Sequence, residues 1–351
     1  MRGLHSSVLT TKAILNSRPM NEHKSSVTGE SLKIIFRPET VTYRGEEYPC
    51  VVTLFQDEAD SEPYTTTESD TVWFNQVTNQ YRAKYGIPYT DEIIALREKY
   101  GLSATKMSAI LGFGVNQYRL YEMGEVPSES NGKLIRSAMN PRTFLDLVNN
   151  SRHQLTDREY AKITARVQEV INQIPDWYEE RRAVDRIFRT HRGMENGFTP
   201  QSTARLKNLL LYVIEQMGEV FQTKMNKVLF YIDFLSYRES GMAISGLAYN
   251  AIEFGPVPQR WDRVYSAFDE VVPEPRLVRD QESTALTAST EADMTCFTEQ
   301  ERAIIDSVCL KMKGLSAHEI SELSHKELAR QRHVHQVETI PYLEAFDLVE
   351  V

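Results

Sequence analysis

Residues 102–125 read LSATKMSAILGFGVNQYRLYEMGE, and this stretch decides how the chain is organised. Ser103 stands where a helix cap belongs. Met107, Ile110 and Leu111 follow at inward-facing spacing, and Gly112 ends the run. A second run, from about Val115 to Met123, puts Val115, Tyr118 and Tyr121 at packing positions and stops at Gly124. Two short helices joined by a glycine-containing turn make a helix-turn-helix, whose second helix enters the major groove of DNA. That helix would carry Asn116 and Gln117, amides of the kind that bond adenine in pairs. Arg119 is placed to read a guanine or hold a phosphate, and Lys106 and Ser103 to reach phosphates. The plainer alternative is an ordinary helical subdomain, with Asn116 a cap and Arg119 a solvated charge. The ordered pattern Leu102-Ser103-Ala104, Ala109, Leu111-Gly112, Val115, Tyr121-Glu122 and Gly124-Glu125 favours DNA binding.

Working outward, residues 86–150 read as five short helices around that motif. The first contains Ile93, Ile94 and Leu96, Pro127-Ser128 opens the fourth, and Pro141 begins the fifth with Phe144, Leu147 and Val148. On the N-terminal side, 25–85 reads as a small β subdomain. Leu32–Phe36 is a strand run stopped by Pro38, Val41–Tyr43 leads into a turn at Arg44-Gly45-Glu46, and Tyr48–Phe55 is a further strand of a meander. Trp73, Val77 and Tyr81 then recur at helical spacing. Residues 1–24 are expected to be a disordered tail, too short in apolar core for a secretory signal.

On the C-terminal side, 151–199 reads as a helical connector. The capping box Thr156-x-x-Glu159 opens an amphipathic helix, and Val184, Ile187 and Phe188 mark another after Pro175. Gly193–Pro200 reads as a linker and a domain boundary. From Ser202 the pattern is strongly helical, with Leu206, Leu209, Leu210, Val213, Ile214 and Met217 on one stripe. Gly255-Pro256-Val257-Pro258 reads as a rigid turn into a helix over 259–268, and polar 273–295 as a mobile loop. Thr298-x-x-Glu301 and Ser316-x-x-Glu319 are two further capping boxes. The fold class expected is mainly α with a small N-terminal β subdomain: a five-helix helix-turn-helix domain, then a helical domain over 200–351.

Composition sets the remaining bounds. The chain has 351 residues with 41% hydrophobic and 25% charged, a soluble globular profile without a run of ~20 apolar residues for a membrane helix. Cys50, Cys296 and Cys309 form no Cys-x-x-Cys pair, so a disulfide framework is not expected and a reducing cytoplasm fits. The net charge of −9 argues against nucleic acid until it is divided. Residues 86–150 hold seven bases and seven acids, whereas 200–351 hold 15 bases and 23 acids. The reading segment is therefore neutral, and the acid excess sits at the C-terminal end, where it would steer a basic partner.

These residues also resemble known families. Residues 87–148 resemble the helix-turn-helix of MqsA-like antitoxins. The match is carried by Ile94, Leu96 and Arg97, by Gly101-Leu102-Ser103 and Gly112-Phe113-Gly114-Val115-Asn116, and by Tyr121-Glu122 with Gly124-Glu125-x-Pro127. The resemblance implies base contacts by an Asn and by an Arg four positions later. Asn116 fits, but position 120 is leucine and Arg119 comes one residue early, about 100° away on a helix. The β subdomain looks like the partner domain of those antitoxins, which carries a four-cysteine zinc site. The matching positions near Ser25, Thr28 and the acidic loop of Asp57, Glu58 and Asp60 hold no cysteine, so no metal and no other cofactor is expected.

Residues 202–351 resemble the Panacea, or SocA-like, antitoxin domain, through Asn226-Lys227-Val228-Leu229-Phe230-Tyr231-Ile232-Asp233, Gly246-x-x-Tyr249-x-Ala251, Gly255-Pro256-Val257-Pro258 and Leu323-Ser324-His325. This resemblance implies an antitoxin that neutralises a cognate toxin protein by binding it. Asp233, Tyr249, Gly255 and Pro256 are the candidate contacts, although the glycine and proline also serve a turn. Operator DNA is the second expected partner, read by a homodimer that forms a hetero-oligomer with toxin. The alternative is a transcription regulator whose C-terminal domain binds a non-toxin partner or acts as a proteolytic adaptor. No enzyme is expected. There is no Gly-x-Ser-x-Gly and no phosphate-binding glycine loop, and His318-Glu319 is followed by Glu322 where a zinc protease has its second histidine. His318, His325, His333 and His335 match no metal-ligand spacing, and Trp177 and Trp261 read mainly as core.

Overall fold

The computed structural model describes residues 31–57, 61–188, 191–278 and 281–350, apart from the side chains of 174–179, 278, 281 and 336. The expectations for the 1–24 tail, for Ser25, Thr28, Glu58 and Asp60, and for the Trp177 side chain lie outside what is described. The chain divides into two compact units. Of the described residues, 78–180 make one; 181–350, together with those from 31 to 77, make the other.

The chain enters as an antiparallel hairpin, β1 (Lys33–Tyr43) and β2 (Glu46–Gln56), running in register from Lys33 opposite Gln56 to Tyr43 opposite Glu46. Its two-residue turn holds Arg44 at φ 50° and Gly45 at φ 87°, the mirror-image turn whose twist suits a hairpin. Pro38 was expected to stop the first strand, but β1 runs through it. Its partner Val51 points its own N–H away from β1, onto Gln76 Oε1 at 2.9 Å. The Pro38–Val51 pair therefore exchanges no ladder bond, and a missing N–H costs nothing there. Gln76 of α1 (Thr67–Tyr85) also donates to Val51 O at 3.1 Å, closing that side of β2. The hairpin was expected to stand as its own subdomain. It instead packs with the C-terminal unit, where Phe36 meets Phe346 edge to face at 5.5 Å.

The Thr78–Glu180 unit contains α2 (Thr90–Lys99), α3 (Ala104–Ile110), α4 (Gln117–Glu122), α5 (Glu129–Ala138), α6 (Pro141–Asn150), α7 (Asp157–Asn172) and the start of α8 (Ile174–Ile187). Ile93, Leu96, Met107, Ile110, Tyr118, Tyr121, Ile135, Phe144 and Val148 share one core. That core extends to Ile163, Val167 and Val170 of α7. The segment expected to be a mere connector thus completes this unit, because an amphipathic helix needs a partner for its apolar stripe. The Thr156 capping box forms as expected.

In the other unit, α9 (Thr203–Met217) and α10 (Gln222–Ser240) are separated by the short β3 (Val220–Phe221). α10 is buried continuously from Met225 to Glu239 and forms the hub of the unit. Around it lie the hairpin β4 (Tyr249–Ile252) and β5 (Gly255–Pro258), the short α11 (Trp261–Val264), β6 (Val271–Val278) and β7 (Gln281–Ala288). α12 (Glu299–Lys313), α13 (Ala317–Lys326) and α14 (Leu328–His333) follow, and a 3-10 turn over Tyr342–Asp347 packs against α10. The capping boxes at Thr298 and Ser316 form.

Four expectations fail in this unit. Gly193–Pro200 is no linker, since Asn196, Phe198 and Thr199 are buried. Gly255–Pro258 is a strand paired with β4 rather than a turn, and the helix expected over 259–268 shrinks to four residues. The loop expected at 273–295 is largely the β6–β7 hairpin, in a sheet of order β3-β7-β6. Pro273 and Pro275 hide β6 from a sequence reading, yet both fall on an edge strand, where proline is tolerated.

Candidate functional site

The helix pair α3–α4 is held rigidly from beneath. Ser103 accepts from Lys106 N at 3.2 Å and caps α3. Ser108 accepts from Tyr118 N at 3.0 Å, and the buried Tyr118 hydroxyl donates to Ile93 O at 2.7 Å. Arg97 bonds Glu122, tying α2 to the far end of α4. Arg82 was missed by the sequence reading. Only 2% exposed, it donates to Gly124 O at 3.2 Å and so anchors the loop after α4. An arginine on the inward face of α1 was the available signal.

Asn116 and Arg119 are exposed, and a spacing of three places them on the same side of the helix. α4 begins at Gln117, with Asn116 at its cap position but making no side-chain cap bond. Val115, expected to pack inward, is 71% exposed because the helix starts two residues later than expected. Leu120 is half-buried, so the position that the MqsA-like pattern gives to arginine turns inward while Arg119 faces out. Gln117 is engaged by Glu125, to which it donates at 2.9 Å. Lys106 pairs with Glu159 at 2.9 Å, and this bond, helped by Thr156, holds the Glu159 carboxyl down at about 2. Lys106 would have to exchange that partner for a phosphate. Chemically, the exposed pair presents one amide and one guanidinium to solvent.

The four candidate toxin contacts are all interior. Asp233 is fully buried and accepts four bonds: Ile244 N at 2.9 Å, Ser245 N at 2.7 Å, Tyr249 OH at 2.5 Å, and the Ser245 hydroxyl. Burial pushes its pKa above the ordinary carboxylate range, and the donors pull it back. Four donors suit the ionised form. Tyr249 is fully buried, its ring edge-on to Phe230 and Phe234 at 5.6 and 6.0 Å. Gly255 and Pro256 are buried in β5. These residues therefore shape the loop 244–249 and the β4–β5 hairpin rather than present a surface.

The β4–β5 turn itself is exposed. Phe254 is 68% exposed and carries an unburied ring at the tip, which the sequence reading passed over. Arg330 of α14 holds the turn from one side, donating to Ile252 O at 3.3 Å and Glu253 O at 2.6 Å. Ser321 of α13 donates to Phe254 O at 3.2 Å. Gly255 has φ +100°, and a β-carbon there would lie 2.5 Å from Ser324 Oγ and 2.7 Å from Lys227 Cε, so only glycine fits.

Of the histidines, His333 contacts Glu338 and Glu344, and His325 faces Glu322. Among the described residues no group of His, Cys, Asp and Glu is arranged to hold a metal. No described helix is long and apolar enough to cross a membrane.

Residues 225–329, from within α10 into α14, match the family model described as antitoxin SocA-like, Panacea domain. No curated protein and no solved structure matches the chain.

Proposed function

We propose that this chain is an antitoxin of a type II toxin–antitoxin system, neutralising a toxin protein by direct binding through its C-terminal unit. The family match over 225–329 carries that reading, because it spans the helical hub and the β4–β5 turn with its exposed Phe254. The acid excess of 200–351 supports a basic partner. The protein is proposed to act by binding and not as an enzyme, in the cytoplasm.

The second half of the proposal is that α3–α4 binds operator DNA as a helix-turn-helix, giving autoregulation. The exposed pair Asn116 and Arg119 on a helix braced by Tyr118 and Arg97 supports it. A homodimer presenting two such helices would read two half-sites one turn apart, and toxin would join it in a hetero-oligomer. Residues 78–180 carry 13 bases and 13 acids, so affinity for DNA is expected to be modest and sharply reduced by salt. The test is co-expression with the neighbouring reading frame. Growth arrest by that frame, relieved by the full chain and accompanied by a co-purifying complex, fits the proposal; a harmless neighbour removes it.

A further inference from the structure

Beneath the β4–β5 turn lies a lysine without a counter-charge. Lys227, on α10, is 2% exposed. Among the described residues its ammonium makes no hydrogen bond or ion pair, and besides burial the charged group that acts on it is another cation, Arg330. A β-carbon at Gly255 would come 3.2 Å from Lys227 Nζ, so the bare backbone of Gly255 is what adjoins the ammonium. His325, on α13, feels both Arg330 and Lys227, and its own acidic neighbour Glu322, three residues earlier on the same helix face, is 3.7 Å from its ring. Burying an ammonium without an anion is costly, and a methionine would fill the same space at less cost. A cationic spot inside the most acidic part of the chain calls for a ligand that supplies the missing charge.

We propose that Lys227, together with the exposed Phe254 of the turn above it, receives a single carboxylate side chain of the otherwise basic protein partner, with Phe254 packing on the apolar residues beside it. This rests on the toxin-binding reading. A carboxylate is preferred to a phosphate by the donor supply. Arg330 already donates to Ile252 O and Glu253 O, and the Ser324 hydroxyl donates to Ser321 O at 2.8 Å. One uncommitted ammonium matches one singly charged carboxylate, whereas a phosphate dianion gathers several donors. The exposed ring supplies the aromatic anchor that protein interfaces favour.

The test uses the full chain and Lys227→Met. In sodium chloride the variant is expected to melt about 2–4 °C higher than the parent, because a buried unpaired charge is gone. Sodium acetate at equal ionic strength should raise the melting temperature of the parent relative to chloride and leave the variant unmoved. Sodium phosphate should do no more for the parent than acetate. A variant that melts lower, acetate acting equally on both proteins, or phosphate exceeding acetate would each overturn the carboxylate site. In the growth assay the folded variant should lose rescue that the parent provides, and equal rescue would overturn the partner role. If the parent rescues no neighbouring toxin, the antitoxin reading fails by itself, and the acetate comparison still decides the site.

Discussion

At the scale of single residues, the C-terminal unit is organised by charges placed inside it. Asp233 gathers the loop 244–249 through four donors. Asp233→Ala would leave two N–H groups and the Ser245 and Tyr249 hydroxyls without that acceptor, and should cost about 3–5 kcal/mol in urea denaturation. Tyr249→Phe removes one bond and should cost about 1–2 kcal/mol. Lys227 supplies a pH signature. Burial lowers its pKa from 10.5 to about 8, so between those values the unfolded chain holds a proton that the folded chain has shed. Stability from this group therefore rises from pH 8 to 10.5 and falls as pH drops through 8. The advantage of Lys227→Met over the parent should accordingly be largest below pH 8 and vanish by about pH 10.5, read as the difference between their melting temperatures. Asp233 and Lys227 both lie in a block that the sequence flagged. Their environment was not legible, because Ser245 and Tyr249 are 12 and 16 residues away from Asp233 and Ser324 comes from another helix.

At the scale of elements, local chemistry was legible wherever a short-range rule governs it. The capping boxes at Thr156, Thr298 and Ser316 and the Ser103 cap all formed as read. Strands containing proline were misread, because whether Pro38, Pro273 or Pro275 breaks a strand depends on which edge its nitrogen faces, and that is a tertiary fact. For the helix pair the expected outcomes separate bracing from contact. Ser103→Ala should lower stability by about 1 kcal/mol through the lost cap. Asn116→Ala should leave the melting temperature unchanged and weaken binding to the promoter of its own operon roughly tenfold, within the ~1–3 kcal/mol of one bidentate base contact. Gel-shift titration checks the second, and equal affinity for parent and variant would remove Asn116 from the interface.

At the scale of the whole molecule, the chain divides differently from its composition. The hairpin β1–β2 and residues 193–200 look separable by sequence, yet Phe36 packs on Phe346 and Phe198 is fully buried. Only long-range packing assigns them to the C-terminal unit, and no periodicity in 31–57 or 193–200 announces it. A fragment starting at residue 202 should therefore melt lower, and over a broader range, than the corresponding transition of the full chain in calorimetry. The most direct measurement of the central claim is growth of cells expressing the neighbouring reading frame with and without this full chain. The account predicts arrest by the neighbour alone and recovery with the chain present, in a complex that co-purifies. Continued arrest despite soluble, folded chain, with no complex recovered, would contradict it.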